Sequence, residues 1–215
     1  MLNKRCVIVG ASRANGVNLK RLIRKDDFVI SADGGLDACA EYGVSPNLHI
    51  GDNDSVLKPA AVKTNAFEQI KLSAEKDVTD LHAAVLQGLK RGYRKFILTG
   101  CLGRRFDHTL SAAFLLEFLR KKNACGVILD KYNRIHFYAG GKNAPLVIKN
   151  RKKYKYISII PLDALLTGVT ATGLKYALNK KTLRRSSSLW VSNEFAADRA
   201  VITAKRGRAL IVLSL

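Results

Sequence analysis

No apolar stretch of this 215-residue chain is long enough to cross a bilayer as a helix. The chain enters the strand pattern Cys6-Val7-Ile8-Val9 within a few residues of its start, leaving no room for a secretory signal peptide. A cytoplasmic protein without a membrane partner is expected. Cysteine is scarce: Cys6, Cys39, Cys101 and Cys125 show neither a Cys-x-x-Cys spacing nor histidines at zinc-finger distances. That argues against a zinc finger and favours reduced, structural thiols. Gly10 and Gly16 do not complete a Gly-x-Gly-x-x-Gly, and no Gly-Lys-Ser/Thr occurs, so the two best-known phosphate cradles are absent.

Acidic residues are also few, 17 against 37 lysines and arginines, for a net charge of +20. The excess is uneven. Residues 1–130 carry a balance of +6 and residues 131–215 a balance of +14. Such basicity fits a nucleic acid, an anionic surface or a polyanionic substrate as partner, or a merely solvated basic face. A hydrophobic fraction of 47% is ample for a packed core in one sizeable domain or two small ones.

The few carboxylates present are grouped. Gly51-Asp52-Asn53-Asp54-Ser55 follows the apolar approach Leu48-His49-Ile50 and sets two acids one residue apart. Oxygen ligands of this kind suit Mg²⁺, although the same residues also make ordinary turns. Asp33 follows the strand pattern 28–32 and precedes Gly34-Gly35, a pair that permits close backbone approach to a ligand. Asp77 and Asp80 open a helix, where Asp77 or Thr79 can equally serve as its cap. The strand pattern 96–99 leads into Gly100 through Asp107-His108. Two carboxylates about 4 Å apart repel by about 4 kcal/mol at an effective dielectric near 20, and a cation bound to polyphosphate relieves that repulsion.

Apolar spacing predicts helices over 17–24, 36–42, 58–67, 79–91 and 109–120, with a short strand at 69–72. The helix at 109–120 is expected to bury Leu110, Phe114, Leu115 and Phe118. Alternation of strands and helices to about residue 130 predicts an α/β domain with a mostly parallel, Rossmann-like sheet. From Arg134 onward the pattern becomes short runs at 135–138, 146–148, 156–160, 169–172, 189–192, 200–204 and 209–213. Separated by turn residues, these predict an all-β sandwich or barrel-like domain. The expected domains are 1–128 and 129–215. Within the second, residues 149–155 are dense in basic side chains with Tyr154 and Tyr156 interleaved, a pattern able to hold phosphates and stack on nucleobases, or simply a strand rim and turn. Trp190 is expected in the core beside Ser192-Asn193-Glu194.

Taken in order, Asp33-Gly34-Gly35, Gly51 to Ser55, Lys76-Asp77-Val78-Thr79-Asp80, Gly100 to His108, Gly173 to Leu178 and Ser192-Asn193-Glu194-Phe195 resemble the thiamine pyrophosphokinase family over nearly the whole chain. The resemblance implies an N-terminal Mg·ATP-binding catalytic domain, a C-terminal thiamine-binding domain and a homodimer with active sites shared between subunits. It implies transfer of a diphosphoryl group from ATP to thiamine, giving thiamine diphosphate and AMP. On that basis Asp52, Asp54 and Asp77 are the expected Mg²⁺ ligands, with Asp80 joining them as catalytic acids. Asp33, Gly34, Gly35, Lys76, Arg105, Asp107 and His108 are expected to hold the nucleotide, and Tyr176, Trp190, Ser192 and Asn193 the thiamine.

Three positions depart from the family pattern. Asn53 stands where an aromatic is usual, Arg104 where a second glycine precedes the arginine, and Ser186 where a glycine is frequent. None removes a charged group, though Arg104 lacks the backbone freedom of glycine. Two alternatives remain at this level: a diphosphokinase of another primary alcohol such as a hydroxymethylpterin, and a nucleic-acid-binding protein. The second leaves the ordered aspartates unexplained.

Overall fold

The computed structural model describes residues 4–12, 16–51, 67–72, 77–103, 105–141 and 145–215. The helix expected at 58–67 lies largely outside them, as do Asp52, Asp54, Lys76, Asn53 and Arg104. The chain divides into two compact units, residues 1–131 and 132–215. No helix among the described residues is long and apolar enough to cross a membrane.

In the first unit, strands β1 (Arg5–Val9), β2 (Phe28–Ala32), β3 (Leu48–Gly51), β4 (Glu68–Lys71), β5 (Lys95–Thr99) and β6 (Cys125–Leu129) pair in the order β6-β5-β1-β2-β3-β4. Every pairing is parallel. Val7, Ile8, Ile30, Leu48, Ile50 and Leu98 are fully buried, as expected of strands covered on both faces. The chain moves outward from β1 to β4 and then returns to the other side of β1 for β5. The strand order therefore reverses between β1 and β5, the place where open α/β sheets form a ligand crevice.

Four helices connect these strands: α1 (Leu19–Leu22), α2 (Gly35–Glu41), α3 (Asp80–Lys90) and α4 (Phe106–Lys121). The first is only one turn long, shorter than the 17–24 expected. The Asp27 carboxylate accepts the Arg24 N–H at 2.8 Å and pairs with Arg5, drawing the chain away from the helical ladder. Helix α4 starts earlier than expected and turns a different face inward. It buries Ala112, Ala113, Leu115, Leu116 and Leu119, leaving Leu110 and Phe114 41% and 46% exposed. Close approach explains the choice: a Cβ on Gly126 of β6 would lie 2.6 Å from Leu119 Cδ1.

The second unit is an antiparallel β-sandwich. One sheet has the order β12-β9-β14-β7, from Asn193–Glu194, Tyr156–Pro161, Arg208–Ser214 and Asn133–Ala139; the other, β11-β10-β13-β8, from Leu178–Arg184, Leu165–Thr172, Arg199–Thr203 and Leu146–Lys149. Tyr138, Ile148, Ile157, Leu166, Leu183, Ile202 and Ile211, drawn from both sheets, share one core. Strand β11 carries no apolar run in the sequence because it is an edge strand whose one fully buried side chain is Leu183. The strand expected at 189–192 is instead a turn, with Ser192 at φ +61° and Ile159 N donating to Trp190 O at 3.0 Å. Tyr154 is only 6% exposed, so its ring is core and not a stacking platform.

Candidate active site

At the β1/β5 reversal the backbone ends of two strands nearly touch. Gly10 N donates to Thr99 O at 2.8 Å and Ser12 N donates to Gly100 O at 2.8 Å. A Cβ on Gly100 would lie 2.4 Å from Gly10 O, and Gly100 has φ +65°, so only glycine suits this floor. Behind it, a Cβ on Gly35 would lie 1.9 Å from Val9 O. Above this floor opens a cleft of about 1050 Å³.

Asp33, Asp77, Asp80, Arg105 and His108 all line the cleft. Asp33 sits at the carboxyl end of β2 in left-handed backbone, φ +51°, a conformation that a non-glycine residue adopts at some cost. Its Oδ1 is buried and lacks a hydrogen-bond partner among the described residues. Gly51 backs onto it, with a would-be Cβ 3.2 Å from Asp33 Cα, and Asp52 follows Gly51 in the chain. Thr79 caps α3, its hydroxyl accepting from His82 N at 3.3 Å. Capping therefore falls to Thr79 and leaves Asp77 available at the cleft.

The N-terminus of α4 supplies Arg105 and His108. Arg105 Nη2 donates to Asp107 Oδ2 at 2.6 Å, and this hydrogen bond, first among several causes, holds the Asp107 carboxyl below its usual range. His108 Nε2 lies 4.0 Å from the same oxygen. Gly34, Gly35 and Asp107 are not wall residues of the cleft: the glycines support its floor and Asp107 orients Arg105. Cys101, also in the wall, has its thiol pushed up to about 12 by burial, then by the nearby Asp130, and is no nucleophile. Sequence reasoning passed over Ser12 and Ser111 as site residues, although Ser12 closes the Gly10-Ala11-Ser12 turn at the end of the first strand.

The β-sandwich gathers the remaining four. Asn193 Oδ1 accepts from Tyr176 N at 3.1 Å while Asn193 Nδ2 donates to Tyr176 O at 2.8 Å. Ser192 N donates to Ser158 Oγ at 3.0 Å. The Tyr176 ring is 63% exposed with Lys175 Nζ 5.7 Å above it. Trp190 packs against the core, and its Nε1 is buried without a partner among the described residues. An orphaned donor of this kind costs about 1–3 kcal/mol unless an acceptor arrives.

A sequence model of the thiamin pyrophosphokinase catalytic domain matches residues 19–129, and one of the thiamin pyrophosphokinase vitamin B1 binding domain matches residues 146–208. Thiamine pyrophosphokinase of Bacillus subtilis is 29% identical over 192 residues, covering 86% of each chain. The crystal structure of thiamine pyrophosphokinase from Bacillus subtilis is similar with a TM-score of 0.88 at 26% identity, covering 99% of each chain. That of thiamin pyrophosphokinase from Geobacillus thermodenitrificans gives 0.86 at 25% identity, covering 99% of this chain and 97% of the other. With the catalytic-domain match alone spanning more than half of its length, the chain belongs to the thiamin pyrophosphokinase family.

Proposed function

We propose that the protein transfers the β,γ-diphosphoryl group of ATP to the hydroxyethyl oxygen of thiamine, giving thiamine diphosphate and AMP, with the nucleotide in the cleft of the first unit. The observation that carries this reading is Asp33, a carboxylate held in left-handed backbone at the strand-order reversal with one buried oxygen unpartnered. Local strain together with an unsatisfied buried acceptor at the mouth of the crevice supports a ligand-binding role.

Phosphoryl-type transfer asks for positioning and charge neutralisation. Arg105 and His108 at the start of α4, with Lys76, hold the triphosphate, and the helix N-terminus favours the same anion. Asp107 keeps Arg105 in place, and the close-packed glycines let phosphate oxygens approach backbone N–H groups. The carboxylate oxygens of Asp77, Asp52 and Asp54 suit Mg²⁺, with Asp33 and Asp80 in support. Among the described residues no three acid, histidine or cysteine side chains converge as a metal site, and Asp52 and Asp54 lie outside those residues. When bound, the ion neutralises charge on the triphosphate. The thiamine oxygen forms its bond to the β-phosphorus as the bond from that phosphorus to the α,β-bridging oxygen breaks, and AMP leaves with the electron pair. One of the cleft carboxylates takes the alcohol proton.

The β-sandwich unit, residues 129–215 in this scheme, contributes the thiamine pocket. Trp190 and Tyr176 offer aromatic faces to a cationic thiazolium, and the Trp190 N–H and Ser192 offer hydrogen bonds. Asn193 shapes the Tyr176 segment. A homodimer shares these sites, supported by exposed Phe106, Leu110 and Phe114 spaced i, i+4, i+8 along α4.

The test is AMP release by the purified protein with Mg·ATP, with and without thiamine, products identified by mass. Thiamine-dependent AMP together with thiamine diphosphate is expected. AMP release with a hydroxymethylpterin and none with thiamine would contradict the assignment.

A further inference from the structure

Strand β7 carries a charged side chain where the sandwich calls for an apolar one. In the ladder, Arg134 stands opposite Leu213 and His136 opposite Ile211; one strand further, Leu213 stands opposite Ile157 and Ile211 opposite Ile159. Directly opposite residues share a sheet face, and all four of these aliphatic residues belong to the sandwich core. Arg134 and His136 therefore occupy core-facing register positions next to Tyr138, and both are half-buried. Arg134 Nε donates to His136 Nε2 at 3.0 Å. That nitrogen is thus an acceptor and the imidazole is neutral, its proton on Nδ1.

Among the described residues the two η nitrogens of Arg134 have no hydrogen-bond partner. No carboxylate among the described residues pairs with the guanidinium, and its positive neighbour is Arg151, in the turn after β8. The Tyr154 phenol, also nearby, is a weak counterweight. Burial, then Arg134, then Arg151 hold the His136 imidazole down to about 4. A half-buried guanidinium without a counter-ion has lost part of its hydration, and a second cation beside it adds repulsion. A guanidinium retained at a core position against both is best explained by an anion that offsets them.

We propose that Arg134, His136 and Arg151 form a binding site for a phosphate-type oxyanion, built wholly from the β-sandwich unit. The fork of Arg134 matches two oxygens of a phosphoryl group, and Arg151 balances its second negative charge. The ligand is inorganic phosphate or the phosphoryl end of a phosphate ester. Neither Arg134 nor Arg151 belongs to the ATP or thiamine machinery described above, so the inference stands apart from the proposed reaction.

His136 is the reporter. Imidazole ¹H–¹⁵N correlation spectra of the full chain, with His136→Gln for assignment, are followed through pH titrations at constant ionic strength. The solutions contain sodium chloride, inorganic phosphate or methyl phosphate, and no nucleotide, thiamine or Mg²⁺. Bound oxyanion cancels the field of the two arginines, so the His136 titration moves up by roughly one unit or more in phosphate. Arg134→Gln abolishes the response. Arg151→Ala, an exposed position that does not threaten folding, weakens phosphate binding about tenfold and leaves thiamine-dependent AMP formation intact. A response to both ligands identifies the phosphoryl group as the recognised part, and a response to inorganic phosphate alone identifies the free ion. A His136 titration unchanged between chloride and both phosphates overturns the proposal, as does an Arg151→Ala variant that binds phosphate as tightly as the wild type.

Discussion

The side-chain amide of Asn193 hydrogen-bonds both backbone groups of Tyr176, accepting from its N–H at 3.1 Å and donating to its carbonyl at 2.8 Å. It stands in for a neighbouring strand and fixes the exposed segment that presents the Tyr176 ring. Both hydrogen-bonding ends of the amide are thereby engaged, so under the proposed function Asn193 positions the Tyr176 segment for thiamine. Asn193→Ala frees this segment and is expected to raise the KM for thiamine about tenfold, the worth of roughly 1–1.5 kcal/mol of lost hydrogen bonding. The KM for ATP stays unchanged in steady-state assays, and Asn193→Asp, which keeps the acceptor, is milder than Asn193→Ala.

The cleft floor makes a stability prediction. Gly35→Ala drives a Cβ to 1.9 Å from Val9 O, and Gly100→Ala drives one to 2.4 Å from Gly10 O at φ +65°. In each case backbone atoms, not a movable side chain, stand in the way. Each variant is expected to lose about 3 kcal/mol or more in urea unfolding. Gly92→Ala meets no neighbouring atom but has φ +85°, and is expected to lose about 1 kcal/mol.

The Arg105–Asp107 pair predicts a nucleotide effect. Asp107→Ala leaves the charge of Arg105 in place but releases its orientation, so the KM for ATP rises several-fold while the KM for thiamine holds. Arg105→Ala removes the cation itself and lowers kcat/KM for ATP by more than Asp107→Ala does. The Asp107 carboxyl lies below its ordinary value because Arg105 hydrogen-bonds its charged form. The tether is thus fully present above the usual carboxylate range and is lost only as acid protonates Asp107.

His136 gives the acid limb of stability. Its folded-state pKa of about 4 lies below the ordinary 6.5, so the unfolded chain binds the extra proton first. Its contribution is present above 6.5 and is lost as pH falls toward 4. The charged groups that act on it are Arg134 on its own strand and Arg151 in the neighbouring turn. In a phosphate-free buffer the unfolding free energy should fall across that window by at most about 3–4 kcal/mol. His136→Gln, which cannot titrate, should flatten this slope.

Much of the fold can be read from the chain. The buried parallel strands are continuous apolar runs, and the switch to short alternating runs after residue 130 marks the β-sandwich. Long-range contact decided what the sequence obscured. The inward face of α4 was settled by the absence of a side chain at Gly126 on β6, and α1 was cut short by a carboxylate already bound to Arg5. Strand β11 escaped notice because an edge strand with one fully buried residue has no strong alternation. At the site, the carboxylates stood out by their grouping at strand and helix ends. The pairing of Asn193 with the Tyr176 backbone could not be read, since it joins residues 17 apart in sequence, with strand β11 and a turn between them.

The central claim is that both outer phosphoryl groups of ATP move together to thiamine. It is tested most directly by incubating the full chain with thiamine, Mg²⁺ and ATP labelled in its γ-phosphorus, and locating the label. Diphosphoryl transfer places it in thiamine diphosphate with unlabelled AMP as co-product, and Asp77→Asn slows that transfer by at least about a hundredfold. Label in thiamine monophosphate with ADP as co-product, or free labelled phosphate independent of thiamine, would contradict the account.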